Sequence, residues 1–209
     1  MTSSALRREI VTAGERLGFV RPRVTQLVAL DRAEFLERWL GDGRAGEMRF
    51  LLHHKKARLD PRTRYPWARS IVSAFVPYPA PPPPRPEPRR ELRGRIAAYA
   101  FGPDYHDVVA ERLRLWSASI ARRLPQIRTA GFVDTAAVFE HEWAARAGVG
   151  WTGKHTLTLS EEHGSYAFLA ELLVGCELEP DPPVPERCGT CDRCVTLCPT
   201  AAIEPGYRL

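Results

Sequence analysis

Residues 188–200 of the chain read Cys188-Gly189-Thr190-Cys191-Asp192-Arg193-Cys194-Val195-Thr196-Leu197-Cys198-Pro199-Thr200. The four cysteines follow the spacing C-x2-C-x2-C-x3-C-P. Two-residue gaps bring three thiolates onto one face of a tight loop, and the proline turns the fourth thiolate away from them. This spacing is typical of the ligands of a 4Fe-4S cluster. The predicted metal ligands are therefore Cys188, Cys191, Cys194 and Cys198.

The same run in bacterial ferredoxins is one half of a reciprocal pair, because its first three cysteines hold one cluster and its fourth ligates the other. No second run follows here, since the sequence stops at Leu209, eleven residues after Cys198. We therefore expect a fragment in which residues 176–209 form a partial ferredoxin-like 4Fe-4S domain. The intact protein would hold two clusters, and this chain at most one.

Zinc and disulfides are the alternatives for these cysteines. Zinc sites usually present two separated C-x2-C pairs or combine cysteines with histidines, whereas these four are contiguous and no histidine lies among or after them. Disulfides need an oxidising compartment, and the first eight residues lead into no apolar secretory segment. We therefore expect a cytoplasmic protein. Cys176, which lies outside the run, is expected to be a small buried hydrophobic residue rather than a spare ligand.

The composition predicts one substantial hydrophobic core with a small appended module, because 44% of the 209 residues are hydrophobic. No apolar segment approaches the length needed to span a membrane. The net charge of +5 comes almost entirely from arginine, since only Lys55, Lys56 and Lys154 are lysines. Genome composition accounts for most of this excess, but a basic, arginine-rich surface also suits a phosphate-bearing partner such as RNA.

The pattern of apolar residues predicts helices at residues 4–17, 31–41, 47–56, 104–124 and 140–147. Short apolar and β-branched runs predict strands at residues 70–76, 94–101, 131–135, 156–159 and 166–174. Strands that alternate with helices indicate an α/β fold, with α+β as the alternative. Residues 76–92 are predicted to be a proline-rich loop, exposed to solvent and inserted in a single domain.

A glycine-rich turn, Gly148-Val149-Gly150-Trp151-Thr152-Gly153-Lys154-His155, precedes the last two predicted strands. Glycine lets the backbone approach a flat or phosphate-bearing ligand closely. The pattern matches neither the P-loop nor the dinucleotide-binding fingerprint. It is equally consistent with a tight connection that leaves Lys154 on the surface.

Five separate segments together resemble the epoxyqueuosine reductases, in the same order and with compatible spacing over about residues 60–209. They are Asp104-Tyr105-His106, Val133-Asp134-Thr135-Ala136, WAARAGVGWTGK at 143–154, GSYAFLAELL at 164–173, and Glu177-Leu178-Glu179-Pro180-Asp181 before the cysteine run. The chain departs from the family pattern at four positions, where the family usually has arginine, proline, leucine and asparagine: Pro103, Ala137, Phe139 and His155.

The resemblance implies an enzyme that uses cobalamin and 4Fe-4S clusters. Such enzymes reduce epoxyqueuosine to queuosine at the wobble position of tRNA anticodons, the last step of queuosine biosynthesis. The implied partners are tRNA carrying epoxyqueuosine and an external electron donor, with no membrane, and the implied state is a monomer. The implied organisation is a cobalamin-binding catalytic domain at residues 1–175, followed by the cluster segment at 176–209.

The resemblance makes Asp134 the candidate catalytic acid. The oxygen of an epoxide leaves poorly as an alkoxide, so a proton donor is needed while a low-valent metal supplies electrons. An aspartate at a strand end beside a cofactor would be partly desolvated, which raises its pKa and keeps a proton available. The alternative is that Asp134 caps a helix at residues 135–139. The implied cofactor contacts are Glu140, Lys154, His155, Ser165 and Tyr166.

Two other classes of function fit parts of the sequence. A ferredoxin-like electron-transfer module fused to an unrelated fold would explain the cysteine run without any catalysis. A corrinoid reductase that acts on a small molecule would use the same cofactors on a different substrate. Retention of a corrinoid separates the first alternative from an enzyme, and activity on modified tRNA separates the second.

Overall fold

The computed structural model of the protein describes residues 2–79 and 96–205. The helices in these residues are α1 (Ser3–Arg16), α2 (Ala33–Gly41), α3 (Lys55–Leu59), α4 (Tyr105–Arg123), α5 (Glu140–Ala147) and α6 (Arg193–Thr196). The strands are β1 (Val20–Gln26), β2 (Ser70–Pro77), β3 (Thr129–Phe132), β4 (Trp151–Thr152), β5 (Thr158–Leu159) and β6 (Ala167–Val174). No helix in the described ranges is long and apolar enough to cross a membrane.

Four strands form one sheet in the order β1-β2-β6-β3, and each neighbouring pair is antiparallel. β4 and β5 form a separate two-stranded hairpin. The predicted mixture of helices and sheet is confirmed. Because the strands of the sheet pair antiparallel, the α+β alternative describes this fold better than α/β.

One face of the sheet is covered by α1 and α4. Trp116 of α4 is fully buried, and its indole N–H donates to the carbonyl oxygen of Ile10 in α1 at 2.9 Å. A Cβ atom at Gly14 of α1 would lie 2.5 Å from the Trp116 ring. The close packing of these two helices therefore requires glycine at position 14.

The opposite face of the sheet is covered by α5. Successive residues of a strand point to opposite faces, so β2 places Val72 with the α1 and α4 side and Ile71 with the α5 side. Trp143 of α5 packs beside Ile71 in this second core. Burying a side chain of this size contributes roughly 1.5–3 kcal/mol. This packing fixes the start of α5 close to the turn that follows β3.

The segment after β6 is fastened back onto β1 by a buried carboxylate. Asp181 accepts hydrogen bonds from the backbone N–H of Val24 at 2.9 Å and from the guanidinium groups of Arg7 at 2.5 Å and Arg23 at 2.8 Å. Burial raises the pKa of Asp181, but these hydrogen bonds outweigh it and hold the pKa below its usual value. Leu178, three positions earlier, is also buried and belongs to the main core, so the segment after β6 packs against the sheet at these two residues.

Several predicted elements differ from the structure. The helix predicted at 47–56 is divided into a short 3-10 turn and α3, because His54 adopts a left-handed conformation with φ of 58°. The strand predicted at 94–101 is wrong where the chain is described, since residues 98–100 form a 3-10 turn. β1 was not predicted. Most of the proline-rich loop predicted at 76–92 lies outside the described residues.

Candidate active site

Asp134 stands two residues after β3, in a left-handed backbone conformation with φ of 51°. The hydroxyl of Tyr105 donates to its Oδ2 atom at 2.5 Å, and Nε2 of His106 lies 3.0 Å from the same oxygen. The side chain is 57% exposed, so the desolvation expected at this carboxyl group is not found. The helix-cap alternative is wrong, because residues 135–139 form no helix.

The start of α4 orients His106 toward Asp134. Asp104 is the N-cap of α4, and its Oδ1 atom accepts the backbone N–H of His106 at 2.9 Å and lies 2.8 Å from the ring Nδ1. The hydrogen bond to Asp104 raises the pKa of His106, and the one to Asp134 raises it further. A protonated imidazole donates from both nitrogens, so a charged His106 bridges the two carboxylates.

Tyr105 is held by aromatic stacking. Its ring lies 4.1 Å from that of Phe168, with 5° between the planes, and 4.0 Å from that of His106. Burial raises the pKa of the Tyr105 hydroxyl, and its hydrogen bond to Asp134 raises it further. The hydroxyl therefore keeps its proton at physiological pH and acts as a donor to Asp134.

A cavity of about 200 Å³ opens beside Asp134 and is also lined by Tyr105, Glu140 and Ser165. Glu140 is the first residue of α5. Burial raises its pKa to about 7, with a further contribution from the charge of Asp134. Its Oε1 atom is buried and has no hydrogen-bond partner among the described residues. Glu140 is thus the carboxyl group at this site whose protonated form is favoured by burial.

His141 lines the same cavity and is anchored by the β4–β5 hairpin. Its Nδ1 atom accepts the backbone N–H of Thr158 at 3.1 Å and lies 2.8 Å from the hydroxyl oxygen of Thr158. Burial lowers the pKa of His141. The ring is therefore neutral near physiological pH, and its hydrogen sits on Nε2.

A second cavity of about 730 Å³ lies between α2 and α5 and shares Asp134 and Glu140 with the first. Arg58 borders it and is 9% exposed, and its guanidinium carbon lies 5.7 Å from the ring centre of Phe50 and 5.9 Å from that of Phe139. The Nε atom of Arg58 is buried and has no hydrogen-bond partner among the described residues. Largely apolar walls with a few polar groups are typical of sites for sizeable organic ligands.

Only two of the five predicted cofactor contacts lie at the cavity beside Asp134. Glu140 and Ser165 line the cavity beside Asp134. Lys154 instead donates from Nζ to the carbonyl oxygens of two residues in the cysteine run, Gly189 at 2.7 Å and Cys191 at 2.8 Å. The other two lie elsewhere: the ring of His155 accepts the backbone N–H of Leu157 at 3.2 Å, and the ring of Tyr166 meets that of Tyr78 edge-on at 5.9 Å.

The glycines of the turn that begins at Gly148 are explained by packing within the protein. A Cβ atom at Gly148 would lie 2.2 Å from the carbonyl oxygen of Pro182, and one at Gly150 would lie 2.1 Å from that of Leu159. Gly148 also has φ of 79° and ends α5. The tight-connection interpretation therefore accounts for both glycines.

The cysteine run forms an open loop around the short helix α6. Cys191 is exposed and the other three predicted ligands are partly exposed; in this segment the backbone N–H of Cys191 donates to the carbonyl oxygen of Cys188 at 2.9 Å. Within residues 2–79 and 96–205 no group of three or more His, Cys, Asp or Glu side chains is arranged to hold a metal ion. Cys176 packs against the main core, as expected of a small hydrophobic residue.

Comparison with known proteins finds consistent similarity to one group of enzymes. A family model described as epoxyqueuosine reductase QueG, DUF1730, matches residues 58–135. The epoxyqueuosine reductase of Cellulophaga algicola is 37% identical over 193 residues, which cover 92% of this chain and 61% of that protein. That of Escherichia coli is 36% identical over 205 residues, which cover 98% and 54%. This chain is a homologue of the epoxyqueuosine reductases.

Solved structures agree with this relationship. Epoxyqueuosine reductase from Streptococcus thermophilus superimposes with a TM-score of 0.89 at 30% identity, over 97% of this chain and 55% of that one. A crystal structure of epoxyqueuosine reductase with a tRNA-Tyr epoxyqueuosine-modified stem loop gives 0.83 at 29% identity, over 97% and 54%. The homologue described here thus spans little more than half the length of these reductases.

A more distant likeness concerns the fold alone. A reductive dehalogenase, whose structure is described as suggesting a mechanism for B12-dependent dehalogenation, superimposes with a TM-score of 0.55 at 14% identity. That match covers 99% of this chain and 25% of the dehalogenase. The arrangement of helices and sheet around the site is therefore shared beyond the epoxyqueuosine reductases.

Three residues of this epoxyqueuosine reductase homologue were missed as site residues in the sequence. Tyr105 and His106 belong to a segment that carries the resemblance, but their roles depend on a contact with Asp134, about thirty positions away. The polar run at the start of the longest predicted helix was the available signal. His141 gave no local signal, because its partner Thr158 lies in a separate hairpin.

Proposed function

We propose that this chain carries the catalytic, cobalamin-binding part of an epoxyqueuosine reductase, with its catalytic domain at residues 1–175. Its substrate would be tRNA with epoxyqueuosine at the wobble position of the anticodon, and its product queuosine. The observation that carries the proposal is the pairing of Asp134 with Tyr105 and His106 at a cavity, in a homologue of these reductases. One homologue was crystallised with an epoxyqueuosine-modified stem loop.

Cobalamin fits the residues that surround the larger cavity. Its corrin ring is broad and largely apolar, with amide groups at its edge, and the cavity offers aromatic walls, the orphaned Nε atom of Arg58 and the orphaned Oε1 atom of Glu140. Glu140 and Ser165 would contact the cofactor from the Asp134 side, with Lys154, His155 and Tyr166 as contacts at its periphery. Bound there, cobalamin would supply electrons to the substrate.

The cysteine run suits a 4Fe-4S cluster by the chemistry of its donors, because its four free thiols have the spacing of such ligands. We propose Cys188, Cys191 and Cys194 as ligands of one cluster, and Cys198 as a ligand of a second cluster. Lys154 ties the backbone of this loop to the turn after α5. The cluster segment is thereby anchored near the active site, where electrons from an external donor are required.

The role of the protein groups in the reaction follows from their geometry. Asp134 would donate a proton to the epoxide oxygen as its bond to carbon breaks. Tyr105 and His106 hold the Asp134 carboxyl group toward the cavity through Oδ2, which leaves Oδ1 for the substrate. A general acid in such a position contributes typically ~10²- to 10⁴-fold to the rate.

The proposal is tested in a full-length context, with the enzyme reconstituted anaerobically with cobalamin and iron-sulfur clusters and supplied with a chemical reductant. Conversion of epoxyqueuosine to queuosine in tRNA is measured by mass spectrometry. Asp134→Asn is expected to retain cobalamin and lose turnover by ~10²- to 10⁴-fold, because the amide keeps the shape but removes the acid. Asp107→Asn, which makes the same chemical change at an exposed residue in the first turn of α4, is the control.

Two results would contradict the proposal. Corrinoid lost on desalting while iron-sulfur absorption remains would favour an electron-transfer module. Corrinoid retained without conversion of modified tRNA would favour a reductase of small molecules. The proposed setting is the cytoplasm, where tRNA is available, and the proposed state is a monomer.

A further inference from the structure

Two carboxyl groups with a buried oxygen atom lie on the α5 side of the sheet. Glu171 is in β6, in the middle of the sheet, and is fully buried; its Oε2 atom accepts the Ser73 hydroxyl at 2.5 Å. Glu140 begins α5 on the same side of the sheet. Each has a buried Oε1 atom with no hydrogen-bond partner in the part of the chain that the structure describes. Such orphaned oxygens are costly in a carboxylate and are more easily tolerated when the group is protonated.

Only one of the two carboxyl groups reaches the active site. Glu140 lines both cavities together with Asp134. The backbone N–H of Asp134 donates a hydrogen bond to the carboxyl group of Glu140. Glu171 lines neither cavity. Position alone therefore distinguishes a carboxyl group that can exchange protons at the site from one that is enclosed in the sheet.

The reaction consumes two protons. Reduction of an epoxide to an alkene takes two electrons and two protons and releases one water: the first proton goes to the ring oxygen as one C–O bond breaks, and the second converts the remaining hydroxyl into water as the other breaks. The external donor would supply the two electrons. Asp134 carries one proton, which leaves the second without a donor.

We propose that Glu140 is a second acid of this active site, which supplies the second proton of the epoxide reduction. The inference rests on the proposed function and extends it to a residue that was predicted only as a cofactor contact. The proton on Glu140 moves to the hydroxyl oxygen that leaves, and the Glu140 carboxylate is afterwards reprotonated from solvent through the cavity.

The charges around Glu140 suit this order of events. The pKa of Glu140 is raised to about 7, mainly by burial. The negative charge of Asp134 also raises this pKa, and the positive charge of Arg58 lowers it. When Asp134 has given up its proton and become charged, ionisation of Glu140 is disfavoured, because neighbouring carboxyl groups titrate as a coupled pair. A negative charge on Asp134 thus favours the protonated form of Glu140. The ionisable groups that face it from the surrounding elements are Arg58, Tyr105, Asp134, His141 and Glu171.

The first experiment needs neither cofactor nor substrate. Infrared spectra of the 209-residue chain are recorded across neutral pH, and the band of protonated carboxyl groups is followed. We expect a component that disappears as the pH rises through about 7, that is absent in Glu140→Gln, and that remains in Glu171→Gln. A component that persists in Glu140→Gln, or a wild type without one, would overturn the proposal. Ser73→Ala replaces Glu171→Gln as the control if the latter does not fold.

The second experiment measures turnover of the reconstituted enzyme in a full-length context. An acid must be protonated to act, so the wild-type rate falls as the pH rises through about 7. Glu140→Gln is expected to lose ~10²- to 10⁴-fold in kcat and to lose this fall with pH. Glu179→Gln, an exposed change that lines neither cavity, is expected to keep both.

The outcomes separate this inference from the proposed function. If Glu140→Gln keeps both the rate and its decline with pH, Glu140 is not the second acid, although the wild type is still a reductase. If the wild type fails to convert modified tRNA, the proposed function is wrong. Glu140 then has no epoxide-derived hydroxyl group to protonate. In that case the infrared experiment still decides whether Glu140 holds a proton near neutral pH.

Discussion

Tyr105 at the start of α4 donates its hydroxyl hydrogen to Asp134, which stands after β3, at 2.5 Å. The bond crosses from one element to another, and the stack of Tyr105 on Phe168 of β6 fixes its direction. The carboxyl group of Asp134 is thus oriented by the framework, although the residue lies in an exposed turn. The predictions below concern the network around this bond and the contacts that support it.

The first prediction is that Asp104→Asn lowers the pKa of His106. Asp104 is the main cause of its elevation above 6.5, and the amide removes the charge while keeping a cap for α4. The stabilisation from charged His106 is fully present below the unfolded pKa and is lost as pH rises through the raised folded pKa. Titration of the ring protons by NMR measures the shift, and an unchanged value would contradict the assignment. Asp107→Asn is the control.

The second prediction is that Asp181→Asn destabilises the fold by roughly 1–3 kcal/mol, because buried hydrogen bonds to a charged group are lost. Since the folded pKa of Asp181 is depressed, its contribution is present above the unfolded pKa and is lost as pH falls through the folded value. Urea unfolding at neutral and acid pH should show the difference between wild type and variant shrink in acid. Exposed Glu179→Gln is the control, and equal stabilities at neutral pH would contradict the prediction.

The third prediction compares two glycines with left-handed backbones. Gly164→Ala, with φ of 56° and open space around its Cβ position, should cost about 1 kcal/mol. Gly148→Ala adds a Cβ atom 2.2 Å from the carbonyl oxygen of Pro182 and should cost roughly 3 kcal/mol. Thermal unfolding of both variants measures this, and similar losses would show that the contact relaxes freely.

The fourth prediction is that the 209-residue chain, reconstituted anaerobically, binds at most one cluster, which degrades to a 3Fe-4S form in air. Cys188, Cys191 and Cys194 supply three thiolates to the cluster. The fourth iron needs a ligand other than Cys198, because Pro199 turns the Cys198 thiolate away from the other three. Iron quantitation and low-temperature EPR before and after exposure test this. Two air-stable clusters per chain would show the ligand assignment to be wrong. Zinc in place of iron would show that the cysteines form a zinc site.

Elements with a strong local pattern were predictable from the sequence. The long amphipathic run predicts α4, and the apolar runs predict β2 and β6, within a residue or two. β1 was missed because Arg21-Pro22-Arg23 interrupts its apolar pattern. What holds that strand is long-range: its pairing with β2 and the bond from Val24 to Asp181. The local sequence contains neither.

The active site was only partly predictable. Resemblance pointed to Asp134, and the carboxyl group expected to be desolvated there is exposed, while burial acts on Glu140 instead. Burial depends on how α5 packs against the sheet, which no local pattern reports. Glu171 did give a signal, as a lone acidic residue within the apolar run of β6, but its protonation depends on Ser73 and the enclosing strands.

The left-handed backbone of Asp134 restricts how its chemistry can be measured. Asparagine and aspartate tolerate this conformation, whereas alanine pays roughly 1–2 kcal/mol for it. We therefore expect an alanine variant to let the turn relax and to displace Val133 from the core. A loss of activity in that variant would have two causes, the shifted backbone and the missing acid, which the measurement could not separate. The isosteric amide keeps the turn and isolates the proton, so the choice of substitution at this position determines what the experiment measures.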